Sequence, residues 1–298
     1  MGFWLVLFLT EHLLTNSQAA LWIGDDGNGF VRSVNFLKNL PYLQVIEVVF
    51  LGIPFLIHGV WGIKYIFTAR YNSFHTDGSA PGLPYFANNQ AFTWQRITSW
   101  ILLFGIVAHV IHMRFVDYPL SSEIGAEHSY MVKVNMDDGL YTLSKRLDFE
   151  IYTPKNVRET GEKITMTKTP PVADIPSGED LEILQQRNQE LDWLAQLEKI
   201  HLKEDQAIVV AKNFGVAELM VVRNTFKNPL MIILYTGLVL AACFHAFNGL
   251  WAFMINMGIT LNAHSQYVMR MITVVLMIAV TFMGLAAIWG TYLINLKN

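Results

Sequence analysis

Four long apolar stretches restrict the fold of this chain more than any other feature: Val45 to Phe67, Ile97 to Phe115, Leu230 to Met257 and Met269 to Ile294. A helix rises roughly 1.5 Å per residue, so crossing a hydrocarbon core roughly 30 Å thick takes about 20 mostly apolar residues. All four stretches meet that length. Hydrocarbon offers backbone N–H and C=O groups no partner, so each stretch must satisfy its own and is expected to be helical. Charge agrees: Asp, Glu, Lys and Arg make up 15% of the 298 residues, against about 25% in a typical soluble domain.

Several chemistries are excluded at once. The net charge of −3 gives no strongly basic surface for nucleic acid. The single cysteine, Cys243, rules out an intrachain disulfide, a CxxC zinc site and a cysteine-ligated iron–sulfur cluster held by this chain alone. There is no Rossmann glycine fingerprint and no Walker loop, so any flavin or nucleotide chemistry must belong to another polypeptide.

A shorter apolar run, Phe3 to Leu14, opens the chain. Its twelve residues cover roughly 18 Å, too little to span alone. A signal peptide would carry a basic n-region, but the first Lys or Arg is Arg32. It would also have Glu11 and His12 in its apolar stretch. We read the run as the outer half of a first transmembrane helix whose beginning is missing from this chain.

Between the second and third full spans lie about 110 polar residues, Val116 to Asn228. Short strands are expected at Tyr130 to Val134, Leu147 to Tyr152 and Lys163 to Thr167. Pro170-Pro171 and Pro176-Ser177-Gly178 interrupt the segment. From Glu179 to about Ala211 the spacing of Leu181, Leu184, Leu191, Leu194, Leu197 and Ile200 predicts an amphipathic helix. The expected fold is an all-α membrane protein: a five-helix transmembrane bundle, its first helix truncated, with a small extramembrane insertion between the third and fourth helices. The divisions are 1–118 for helices I to III, 119–213 for the insertion and 214–298 for helices IV and V. Lys64, Arg70 and Arg96 weakly place their loop in the cytoplasm by the positive-inside bias, which puts the long insertion outside.

Five of the nine histidines fall in apolar stretches: His12, His58, His109, His112 and His245. Any one of them alone suits a hydrogen bond between helices, but ionisable residues at this depth mark functional sites. Depth sorts four of them. His58 lies six residues before Lys64, roughly 9 Å from the inner end, and His245 lies roughly 15 Å in. His109 lies thirteen residues beyond Arg96, roughly 20 Å from the inner edge, and His12 sits beside Thr15-Asn16 near the outer edge. Two layers result, His58 with His245 and His12 with His109. Two neutral imidazoles on facing helices can fill both axial positions of a haem iron, which suits electron transfer and leaves no open site for oxygen. His112, one turn past His109 and near Arg114, reads as interfacial. His75, His128, His201 and His264 read as loop residues. Small residues flank the candidates: Gly59, Gly62, Gly105, Ala108 and Gly249.

At these residues the chain resembles the b558-type dihaem cytochrome b anchor of succinate:quinone oxidoreductases, the succinate dehydrogenase and fumarate reductase family. The resembling stretches are Phe8-Leu-Thr-Glu-His12-Leu-Leu-Thr-Asn16, Glu47 through Ile57-His58-Gly59-Val60-Trp61-Gly62, and Trp94-Gln95-Arg96-Ile97-Thr98 leading to Ala108-His109-Val110. They continue with Phe244-His245-Ala246-Phe247-Asn248-Gly249-Leu250-Trp251, Met257-Gly258-Ile259-Thr260 and Ser265-Gln266. The resemblance covers about residues 1–118 and 214–298. It implies two haems b held by His12 with His109 and by His58 with His245, and it selects His109 over His112. It implies a multi-pass protein of a bacterial cytoplasmic membrane. Flavoprotein and iron–sulfur partner subunits would dock on the cytoplasmic face, passing electrons from succinate to a membrane quinone. The segment from about Leu120 to Lys212 is longer than the connection the family leads one to expect.

A quinone needs an apolar slot with a few polar groups and a source of protons. Glu47 and Glu11 are candidates for the latter. Haem propionates favour cations, and Arg96, Lys64 and Arg114 stand at helix ends where they could meet them. Two other functions fit the same residues: a dihaem cytochrome b of another quinone-linked enzyme, and a transporter with histidines as proton relays.

Overall fold

The computed structural model describes residues 1–68, 72–75, 77–78, 82–125, 127–167 and 178–297; Arg70, Pro170-Pro171 and Pro176-Ser177 lie outside them. Among the described residues, four helices are long and apolar enough to cross a membrane. With the short helices numbered in chain order, they are α3 (Leu43–Thr68), α4 (Ala87–Val116), α9 (Pro229–Asn256) and α10 (Ala263–Asn295). The opening apolar run forms α1, Gly2–Ser17, followed by the short amphipathic α2, Asn28–Lys38. The second span begins ten residues before its apolar stretch, because Asn88, Asn89 and Gln90 continue the helix into polar surroundings.

Local signals set the helix starts. Asn228 caps α9 by accepting the Leu230 N–H, with Pro229 at the first helical position, where a missing N–H costs nothing. Asn262 and Ser265 form a reciprocal capping box at the start of α10. Small residues then bring α1, α9 and α10 into close contact. A Cβ on Gly284 would lie 2.7 Å from Val239 Cγ1 and 3.2 Å from Leu13 Cδ1, and one on Gly290 would lie 2.6 Å from the Ala20 Cβ. Little of α3 and α4 is covered by the rest of the chain: 6% and 0% of their most apolar windows are buried.

The polar segment folds into a four-stranded antiparallel sheet. Its strands are β1 (Leu120–Ile124), β2 (Glu127–Asn135), β3 (Phe149–Tyr152) and β4 (Gln206–Ala211), in the order β1-β2-β4-β3. The helices between them are α5 (Asp138–Leu147), α6 (Pro154–Met166) and α7 (Gly178–Lys199). Helix α8 (Phe214–Thr225) leads back to the spans. Alternation along β2 and β4 serves two cores. Met131, Ile208 and Val210 pack with Trp193, Leu194 and Leu197 of α7, while Val132, Val134 and Val209 join the cluster that contains α8 and the spans.

Two local expectations are corrected. The amphipathic helix ends at Lys199 rather than near Ala211, because Gln206–Ala211 pairs as β4 between β2 and β3. A β-branched run covered on both faces reads as continuously apolar and lacks the alternation that marks a strand. Lys163 to Thr167 is not a strand; α6 runs to Met166. Thr153 caps it, Pro154 starts it, and the Thr165 hydroxyl donates back to the Gly161 carbonyl at 2.7 Å, which absorbs a residue type that otherwise favours strands.

Helix α8 is the joint between the sheet and the spans. Ten of its twelve residues are buried. Against α2 the contact is close: a Cβ on Gly215 would lie 2.5 Å from the Val31 carbonyl oxygen, and the Gly215 N–H donates to Asn35 Oδ1 at 2.7 Å. The fully buried Arg223 donates to both carboxylate oxygens of Asp137 at 2.7 and 2.8 Å and to the Leu296 carbonyl at 2.6 Å. Lys227 also pairs with Asp137. Burial disfavours the ionised Asp137 carboxyl, but hydrogen bonds and charge from Arg223 and Lys227 outweigh it and hold the group below its ordinary 3.8. A depressed acid contributes stability that is complete above its unfolded value and is lost as pH falls through the folded one. Asp137→Ala, which strands a buried guanidinium, is expected to destabilise the protein by about 3–5 kcal/mol. Lys212→Ala, at a surface pair with Asp148, should cost less than about 1 kcal/mol. Thermal melts of the two variants in detergent check this, and equal losses would contradict it.

Candidate functional site

The two histidine layers expected from depth are present as side-chain pairs. His12 on α1 and His109 on α4 have ring centres 6.0 Å apart at an interplanar angle of 73°. His58 on α3 and His245 on α9 have ring centres 6.0 Å apart at 86°. The first pair lies near the end of the bundle that carries the sheet, the second nearer the opposite end.

The remaining nitrogens show which atoms each pair offers. His245 Nδ1 lies 3.2 Å from the Gln95 carbonyl oxygen and 3.4 Å from Thr98 Oγ1. His109 Nδ1 lies 3.2 Å from the Tyr235 hydroxyl. In both rings Nδ1 is engaged, so Nε2 is the atom left for a ligand bond. The Trp94-Gln95-Arg96-Ile97-Thr98 and Phe244-to-Trp251 stretches also bind each other. Asn248 Nδ2 donates to Gln95 Oε1 at 2.7 Å, and Gln95 Nε2 donates to the His245 carbonyl at 3.0 Å. Trp251 Nε1 donates to the Gln266 carbonyl at 3.2 Å.

Both nitrogens of His112 are occupied by protein. Nδ1 meets the Tyr235 hydroxyl at 3.1 Å and Nε2 meets Asp117 Oδ2 at 3.1 Å. That arrangement leaves His112 no nitrogen for a metal. A π-turn at His112–Val116 is the local cause. Five residues advance about 140° around an α-helix, but the wider turn, closed by Asp117 N–H donating to the His112 carbonyl at 2.9 Å, brings Asp117 back beneath the ring.

The fit of a haem can be tested on this geometry. An iron bound through one nitrogen of each of two imidazoles, at roughly 2 Å per metal–nitrogen bond, sets ring centres about 6 Å apart. Among the described residues no group of three or more His, Cys, Asp or Glu side chains could hold a metal ion. A pair of axial ligands therefore suits a group that brings its own equatorial nitrogens. On the helix that carries His58, a Cβ on Gly59 or Gly62 would meet nothing within 4 Å, while one on Gly2 would lie 4.0 Å from His58 Cε1. Gly105 serves otherwise, since a Cβ there would lie 2.7 Å from Leu238 Cδ1, a helix-packing contact. The residues fit the group.

Other expected site residues have contacts of their own. Glu47 pairs with Arg114, Oε2 to Nη2 at 3.1 Å, linking α3 to α4 at the sheet end. Glu11 accepts from Thr15 at 3.0 Å. Arg96 Nη2 donates to the Ile66 carbonyl at 2.9 Å, and the Lys64 ammonium lies 4.9 Å from the centre of the Trp61 ring. His128 lies on β2 and His264 in the first turn of α10, not in loops. A cleft of about 370 Å³ between α4, α9 and α10 at the end away from the sheet is lined by Trp94, Phe244, Phe247, Asn248, Trp251 and Arg270 among others.

Over nearly its full length the chain aligns with a curated bacterial protein, the succinate dehydrogenase cytochrome b558 subunit of Bacillus subtilis (strain 168). The two are 22% identical over 284 residues, 95% of this chain and 88% of the relative. The chain is similar to a cytochrome b subunit. No family model matches it, and no solved structure matches it. At that length the alignment takes in most of the polar segment as well as the spans.

Sequence reasoning missed Tyr235, Asp117 and Glu218. Tyr235 is a hydroxyl six residues inside an apolar span, a signal of the same kind as the histidines. Asp117 becomes a partner only through the π-turn. Glu218 sits half-buried on α8, where burial pushes its carboxyl up to about 7, against the pull of Arg114 and Lys38 and with the push of Asp117. An acid raised in the folded state weakens the fold as pH climbs from its ordinary 4.5 through 7. Glu218→Gln is therefore expected to raise the melting temperature at pH 8.5 and to change it little at pH 5. The gain is worth up to about 3 kcal/mol. An equal effect at both pH values would contradict the assignment.

Proposed function

We propose that this chain is the dihaem cytochrome b anchor of a succinate:quinone oxidoreductase, carrying electrons from partner flavoprotein and iron–sulfur subunits to a quinone in a bacterial membrane. The observation that carries the reading is the pairing of four imidazoles in two layers, each pair with ring centres 6.0 Å apart. The likeness to a succinate dehydrogenase cytochrome b558 subunit over 95% of the chain supports it and supplies the partner class.

A haem bound at each pair would supply one-electron transfer with no open coordination position. The protein's own part is positional. Gln95 and Tyr235 fix the tautomer and rotation of His245 and His109. Gln95 is itself held by Asn248, so the backbone carbonyl that meets His245 is not free to swing away. Gly59 and Gly62 border open space on the helix that carries His58. An imidazole must be neutral to serve as a ligand.

Quinone reduction takes up protons, and its oxidation releases them. Glu47 and Glu11 lie on the two helices that meet at the sheet end, and we assign proton exchange with the quinone to these carboxylates. Arg114 holds Glu47 in place. The insertion lies on the side opposite the docking face of the partner subunits.

The test is a reduced-minus-oxidised spectrum of purified complex with haem quantified per chain. Two low-spin b haems are expected, together with copurifying flavin and iron–sulfur subunits. His58→Ala or His245→Ala should each lower the count from two to one, and His112→Ala should keep both. Protein without haem would favour the histidine-relay transporter instead. A haem lost with His112 but kept without His109 would overturn the ligand assignment.

A further inference from the structure

We propose that Tyr235, His112 and Asp117 form a polarising hydrogen-bond chain that orients His109 and lowers the reduction potential of the haem it holds relative to the other. This inference rests on the dihaem reading and extends it beyond Tyr235 to His112 and Asp117, which hold no haem in that reading.

The geometry runs in one direction only. With His109 Nε2 committed to iron, its Nδ1 must carry the proton and donate to the Tyr235 oxygen at 3.2 Å. The Tyr235 hydroxyl then donates to His112 Nδ1 at 3.1 Å. His112 Nδ1, now an acceptor, leaves the ring proton on Nε2, which donates to Asp117 Oδ2 at 3.1 Å. Every donor has an acceptor, and the Tyr235 hydroxyl alone serves twice, accepting from one ring and donating to the other. The chain ends on a carboxylate at the sheet end of the bundle.

Such a chain matters because a ligand histidine becomes more basic when its other N–H is drawn toward negative charge. A more basic ligand favours the oxidised metal, and hydrogen bonding to the ligand is one of the levers a protein has on haem potential. The opposite pair is built differently: His245 Nδ1 faces the neutral Gln95 carbonyl. The two layers therefore hold their imidazoles by partners of unequal charge. Three features of the structure converge on this device: the i, i+3 spacing of His109 and His112, the tyrosine on the facing span, and the π-turn that returns Asp117 to His112.

The experiment is a potentiometric titration of the complex carrying Tyr235→Phe or Asp117→Asn. Low-temperature electron paramagnetic resonance of the ferric haems runs alongside it. In either variant, haem content should stay at two per chain and one midpoint potential should rise. The other should hold as an internal reference, and one low-spin ferric signal should change. If Tyr235→Phe loses a haem, Asp117→Asn decides, since it removes charge eight residues away from His109. Two retained haems with both potentials unmoved would overturn the chain while leaving the dihaem reading intact. Equal movement of both potentials would also overturn it, as general loosening. An unmodified protein that binds no haem would overturn both.

Discussion

An imidazole inside an apolar helix has two nitrogens and almost no water to satisfy them, and the architecture of this protein follows from that shortage. Each of His109 and His245 spends Nδ1 on a partner from a neighbouring helix, Tyr235 on α9 and the Gln95 carbonyl on α4. The bond fixes which nitrogen remains and where it points. In hydrocarbon the alternative to such a partner is an unpaired polar group costing several kcal/mol. The tie also holds the helices together, because a hydrogen bond between spans does what hydrophobic burial cannot do among lipid tails. The same bonds thus serve both assembly and ligand geometry.

The sheet-bearing segment obeys a different rule. It packs in water, where apolar burial drives folding, and yet it must join a bundle end made of helix termini. The joint is α8, and its fully buried Arg223 reaches Asp137 after β2, the Leu296 carbonyl at the end of α10, and the face of Tyr292. One guanidinium therefore answers a carboxylate and an orphan helix-end carbonyl together. Burying that charge is tolerable because each of its three nitrogens has an acceptor. The joint sits over the bundle end nearest the His12–His109 pair, so the polar segment has a fixed bearing on that layer.

Much of this was legible before any coordinates. The four spans follow from length and apolarity alone, and the two layers follow from counting residues to the nearest charged end at a helical rise. What the count could not give was rotation about each axis: it places His112 one turn past His109 but does not say that Tyr235 binds both. The π-turn at His112–Val116 has no sequence signature, so nothing in the sequence singles out Asp117 from the polar segment. In the polar segment, periodicity failed where burial was two-sided. Gln206–Ala211 lies between β2 and β3 with apolar cover on both faces, so its pattern is continuous and was absorbed into the helix before it. Small residues were ambiguous for a related reason. Gly59 and Gly105 look alike in sequence, but one borders open space and the other presses on Leu238.

The two layers are not equivalent, and the inequality comes from how the chain is closed at each end. Away from the sheet, the partner of His245 is a backbone carbonyl, locked by Gln95 and Asn248 in a network of neutral amides. Toward the sheet, the corresponding partner is a side-chain hydroxyl that leads through a second imidazole to Asp117. Asp117 stands where α4 leaves the bundle for β1, and Arg114, Lys38 and Glu218 crowd the same corner with charges that act on one another. A neutral amide network insulates its histidine from the surface. A chain ending in a carboxylate couples its histidine to every charge gathered there. Since α8 supplies Glu218 to that gathering, the polar segment bears electrostatically on one histidine pair and spares the other.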